Sequence, residues 1–202
     1  MSNNPPVANI CLNGSEMSTA VPSPVVFWPD TRLNTVCVDV TEDQLDRIQK
    51  VLAAMFATMK QASGIGLAAP QIGLMLNVIT LNIPEVLELG HTGTQTPTSE
   101  PISQPFVMIN PAIVEQGDDQ FRWEEGCLSV PGHFEYRNRP QRIVVEYLND
   151  DGSKHRTEFT GLHAFAIQHE MDHLVGKIFV DELSGLKQSR IKKKIRKTLN
   201  RR

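Results

Sequence analysis

The stretch His169-Glu170-Met171-Asp172-His173 has the residue types and spacing of metal chemistry. In a helix, residues four apart lie one above the other, so His169 and His173 can direct two imidazoles at one metal ion. Glu170 projects from the same turn, close enough to take a proton from an attacking water. Two ligands do not hold a catalytic metal, so a third must come from elsewhere in the chain.

Downstream, the extended motif that adds a glycine and a third histidine has Gly176 in place but Phe179 where the histidine belongs. Asp181 and Glu182 are the acidic residues at a workable distance, and neither lies in a helical pattern long enough to serve. Upstream, residues 124–132 read EEGCLSVPG and offer Cys127. A free cysteine is often only a small buried hydrophobe. Beside two histidines, however, its thiolate completes a set that leaves the fourth tetrahedral position open, as catalysis requires. A third stretch, GIGLAAPQIG at 64–73, is dense in small residues and allows close backbone approach to a ligand. Its spacing fails the dinucleotide fingerprint at Ala69, and Gln71 supplies a neutral donor just after the turn.

These residues need elements to position them. Thr41 and Gln44 have capping-box spacing, and Leu45, Ile48, Leu52, Met55, Phe56 and Met59 then recur at helical intervals, predicting a helix of about 20 residues ending before Gly64. Residues 76–81 and 106–109 predict short buried strands, and 87–104, rich in Thr, Ser, Pro and Gly, a surface loop carrying His91. Residues 142–148 and 154–160 flank a turn sequence and predict a β-hairpin. Gly161 opens the helix that bears the histidines, and a last helix from about Leu186 places Ile191, Ile195 and Leu199 on one stripe. His133, His155 and His163 are expected in surface or packing roles. The order of elements predicts a single compact α+β domain.

Composition is consistent with that. The chain has 202 residues, 40% hydrophobic and 21% charged, with net charge −3. Three scattered cysteines do not make a disulfide framework and suit a reducing compartment. No run of 18 apolar residues is present, so no membrane span is expected, and the N-terminal segment lacks the basic and apolar regions of a secretory signal. Between 187 and 202 there are nine Lys/Arg and no Asp/Glu, a basic tail on an acidic body.

Taken together, GIGLAAPQ (64–71), EGCLS (125–129) and QHEMDH (168–173), in that order, resemble the peptide deformylase family. The resemblance implies small antiparallel sheets around a central metal-binding helix, with a C-terminal helix. It divides the chain into a flexible leader (1–25), a catalytic domain (26–186) and a basic C-terminal helix (187–202). The implied activity removes the formyl group from the N-terminal formylmethionine of new polypeptides. Other readings are a general zinc metallopeptidase or an inactive ribosome-associated relative.

By resemblance, Cys127, His169 and His173 hold the metal, Glu170 moves the proton, and Gln71 with the Leu128 amide meets the oxyanion. Ile65, Gly66 and Gly126 hold the peptide backbone, while Leu162, Phe165 and Ala166 line the methionine pocket. Glu125 pairs with Arg139. The implied metal is Fe²⁺, with Zn²⁺, Ni²⁺ or Co²⁺ able to occupy the site in purified protein. Formylmethionyl nascent peptides are the expected partners, with the ribosome contacted through the basic helix. DNA and membranes are not expected partners, and a bacterial cytoplasm is the expected location.

Overall fold

The computed structural model describes residues 20–83 and 105–199. The 87–104 loop with its His91, residues 1–19 of the leader, and residues 200–202 lie outside the described residues. The capping signal at Thr41 operates in part. Gln44 Oε1 accepts from the Thr41 N–H at 3.0 Å, while the Thr41 hydroxyl turns to Asp43 Oδ1 at 2.6 Å. A 3-10 turn, Glu42–Gln44, leads into helix α1, Leu45–Gln61. The chain leaves α1 through Ser63 at φ 54°, and the Gly64 N–H donates to the Met59 carbonyl at 3.0 Å.

Seven strands follow in two sheets. Strands β1 (Gly66–Ala68), β2 (Val78–Leu81), β3 (Phe106–Gln116), β6 (Arg142–Leu148) and β7 (Lys154–Thr160) form an antiparallel sheet in the order β1-β2-β3-β6-β7. Strands β4 (Gln120–Gly126) and β5 (Phe134–Pro140) form a separate two-stranded sheet.

The five-stranded sheet is covered on both faces. Ile79, Leu81 and Met108 pack with residues of helix α2, Gly161–Leu174, whereas Val78, Val107 and Ile109 pack with Leu52, Met55 and Met59 of α1. With both faces covered, all four residues of 78–81, Thr80 included, are buried rather than alternately exposed. The 76–81 expectation is trimmed at its start: Leu76 makes only an isolated bridge to Val38. Strand β3 is longer than 106–109, running on through a register shift after Asn110, which sits at φ 52°.

A third apolar cluster lies under helix α3, Gly185–Leu199. Ile191 and Ile195 are buried there against Val130, Phe179 and Trp28. Leu199, expected on the same stripe, is exposed. The described part of the leader packs on the body, with the Ser23 N–H donating to Thr58 Oγ1 at 2.8 Å. Among the described residues, no helix is long and apolar enough to cross a membrane.

Candidate active site

Helix α2 runs beneath the sheet edge formed by β1, and the turn after β4 delivers Cys127 to the same place. The i, i+4 spacing brings the rings of His169 and His173 to a centroid distance of 5.3 Å. Cys127 Sγ lies 3.2 Å from His173 Nε2, and one ligand atom from each of Cys127, His169 and His173 falls within 4.8 Å of the others. His169 Nδ1 is engaged by Glu125 Oε2 at 3.1 Å, which fixes the ring and leaves Nε2 as the atom that could serve as a ligand. One soft sulfur and two imidazoles, oriented by a carboxylate, suit a divalent transition metal with one position open.

Glu125 is itself anchored. The Arg139 guanidinium pairs with it through Nε and donates to its Oε2 at 3.0 Å, and also to Asp172 Oδ2 at 2.8 Å. Burial pushes the Glu125 carboxyl up, but the bonds from His169 and Arg139 outweigh it and hold the group at about 2. Glu125 is therefore a permanent anion locking one histidine.

Glu170 has the opposite environment. It is buried, and its Oε2 has no hydrogen-bond partner among the described residues. Burial raises its carboxyl to about 7, with the His169 charge opposing. Gly66 makes this placement feasible, because a Cβ there would collide with Glu170 Oε1.

Gln71 lies just behind Cys127. Its Oε1 accepts from the Ala68 N–H at 2.7 Å, so its Nε2 faces the site, 3.4 Å from Cys127 Sγ and 3.3 Å from Ser129 Oγ. That geometry assigns the amide's orientation. Leu128 lines the cleft and stands against Gly64, where a Cβ would come within 2.8 Å of Leu128 Cδ1.

A cleft of about 970 Å³ opens over these groups. Ile65, Gly66, Gly126, Leu162, Phe165 and Ala166 all line it, together with Cys127, His169 and Glu170. Phe165 packs edge-on to Phe121 at 5.8 Å and against Trp123 at 5.6 Å, giving the apolar end of the cleft an aromatic wall. Strand β1 is the sheet's edge. The Ile65 carbonyl is engaged by the Asn82 N–H at 2.8 Å, so the alternation of an antiparallel ladder turns the Gly66 backbone groups toward the cleft.

Sequence reasoning did not single out Ser129, Trp123 or Asp172. Ser129 and Asp172 stand inside the EGCLS and QHEMDH stretches, so proximity to the ligands was the available signal. Pro22 to Val25, set apart as leader, are part of the cleft wall.

A family model described as polypeptide deformylase matches residues 22–189. A peptide deformylase from Neisseria meningitidis is 44% identical over 174 residues, covering 86% of this chain and 93% of that protein. The crystal structure of peptide deformylase from Ehrlichia chaffeensis superposes with TM-score 0.79 at 36% identity, covering 88% of this chain and 97% of that one. The same enzyme in complex with actinonin gives TM-score 0.76 at 38% identity, with 89% and 98% covered. With most of its length matched by the family model and by a relative at this identity, the chain belongs to the peptide deformylase family.

Proposed function

We propose that this chain is a metal-dependent hydrolase that removes the formyl group from the N-terminal formylmethionine of new polypeptides, releasing formate and a free methionyl amine. One observation carries the reading: a thiol and two imidazoles converge beside a buried carboxylate whose Oε2 lacks a partner among the described residues, on the floor of a cleft flanked by a sheet edge. Cys127, His169 and His173 would hold the metal. When bound, it supplies a Lewis acid that polarises the formyl carbonyl and acidifies water.

The chain's own groups do the rest. Glu170 accepts the proton of the attacking water and delivers one to the departing nitrogen. The Gln71 amide and the Leu128 N–H donate to the formyl oxygen as it gains charge. Leu162, Phe165 and Ala166 receive the methionine side chain. Gly66, with Ile65 and Gly126 beside it, holds the substrate backbone extended, as an added strand on the open edge of β1.

For the metal we infer Fe²⁺ in the cell. A ferrous ion beside a thiolate is oxygen-sensitive, so anaerobically purified protein should lose activity in air, and reconstitution with Ni²⁺ should yield an air-stable enzyme. A bacterial cytoplasm is the proposed setting.

The basic helix is the proposed ribosome contact. Lys187 is paired with Glu135 at 2.9 Å and Lys194 with the Gly132 carbonyl at 3.2 Å, while Arg190, Lys192, Lys193, Arg196 and Lys197 are exposed. Because Ile191 and Ile195 are core residues, charge-reversal of the exposed positions tests this better than truncation. Salt-dependent co-sedimentation with ribosomes should weaken in those variants.

The activity is tested by formate release from a formyl-methionyl peptide, using anaerobic protein and an acetylated peptide as control. Formate from the first alone supports the reading. Cleavage inside unformylated peptides would replace it with a general peptidase.

A further inference from the structure

The five-stranded sheet has two edges. Strand β1 is the edge at the cleft, and β7, Lys154–Thr160, is the other. The ladder between β6 and β7 pairs Arg142 with Thr160, Glu146 with Arg156 and Leu148 with Lys154. Two bonds extend it at its ends: Asn149 N–H to the Ser153 carbonyl at 2.9 Å, and Gly161 N–H to the Gln141 carbonyl at 3.1 Å. Because antiparallel bonds alternate, His155, Thr157 and Phe159 turn their backbone groups toward β6, and Lys154, Arg156 and Glu158 turn theirs outward. Among the described residues, no other element's backbone bonds to those outward groups.

Charged side chains on such an edge normally repel a second strand. The order of charges along β7 reverses that effect for one visitor, a second β7. Lys154, Arg156 and Glu158 share one face. There Arg156 donates to Glu146 Oε1 at 2.8 Å and to Glu115 Oε1 at 2.5 Å, while Arg142 Nε donates to Glu158 Oε2 at 2.8 Å. The side chains of all five residues in this network remain more than a third exposed, so it is open to further partners.

Two copies of β7 running antiparallel about a two-fold axis bring these outward residues opposite one another, and the position of the axis decides which meet. With the axis at Thr157, Arg156 of each copy forms a hydrogen-bonded pair with Glu158 of the other, and Lys154 meets Thr160. Opposite charges then face each other twice. An axis at Arg156 or at Glu158 sets that residue against itself, and one at His155 sets Lys154 against Arg156. Only the Thr157 axis satisfies the backbone while opposing unlike charges throughout.

We propose that the β7 edge joins two copies of this chain, fusing their five-stranded sheets into one with Arg156 opposite Glu158 across the axis. The contact is one strand wide, so association is weak, with a Kd on the order of 0.1 mM.

Sedimentation equilibrium of the metal-loaded full chain tests this. Between about 10 µM and 1 mM the weight-average mass should rise from monomer toward dimer. Arg156→Glu and Glu158→Arg should each weaken association about tenfold or more, because each places two like-charge pairs across the axis. An equal mixture of the two variants should associate as the wild type does, since every pair across the axis is again opposite in sign. Both side chains lie at the surface, so the fold is not at stake. A wild type that stays monomeric at the highest concentration would overturn the proposal. So would a dimer that neither variant weakens, or a mixture that associates no better than either variant alone.

Discussion

The side-chain amide of Gln71 is oriented by Ala68 and aimed at Cys127: the Ala68 N–H fixes its oxygen at 2.7 Å, and its nitrogen stands 3.4 Å from the sulfur. A donor so placed needs no rearrangement to meet charge developing beside the metal ligands, which is what makes such a group effective. Replacing Gln71 with Glu keeps the shape but removes the donor. The expected result is a fall in kcat of about 10²–10³ with metal content unchanged. Steady-state formate release paired with metal analysis checks this; a near wild-type kcat would dismiss the role.

Glu125 and Arg139 are both buried, so breaking the pair leaves an uncompensated charge. Arg139→Ala should cost about 3–5 kcal/mol of unfolding free energy, read from urea denaturation. Glu125→Gln, which weakens the hold on His169 Nδ1, should instead reduce metal affinity about 10- to 100-fold in a chelator competition. If Glu125→Gln binds metal as tightly as the wild type, the carboxylate does not set the ligand's orientation.

The sequence was legible where hydrophobic period and burial coincide. Helix α1, strand β2, the β6–β7 hairpin and α2 were all read from such patterns, and the metal-ligand candidates from residue chemistry. The β4–β5 hairpin was missed because its two buried residues, Glu125 and Arg139, are charged and occupy positions where a pattern reader looks for apolar side chains. Strand β1 was missed because it has three residues, two of them Gly and Ala, and exists only by pairing with β2. The role of Pro22 to Val25 in the cleft wall was invisible for a related reason: their partner Thr58 is 35 residues away in the chain.

His163, on the same helix as His169 and N-terminal to it, is buried against the Phe106 ring at 6.1 Å. Burial lowers its pKa to about 4, against about 6.5 for an unfolded histidine. The unfolded chain therefore binds the extra proton first. The stabilising contribution is complete above about pH 6.5 and is lost as pH falls toward about 4, on the order of 3 kcal/mol in all. His163→Phe should flatten this part of the stability profile. Urea midpoints for the two proteins, followed from pH 7.5 to 4.5, should diverge; parallel profiles would show that His163 does not contribute.

The central claim is that Cys127, His169 and His173 form a metal site whose neighbouring carboxylate, Glu170, moves the proton in formyl hydrolysis. The most direct measurement is formate release from a formyl-methionyl peptide by Glu170→Gln protein, at metal content matched to wild type. The account predicts unchanged metal binding and a rate reduced by at least about 10²-fold. A wild-type rate at equal metal occupancy would contradict it.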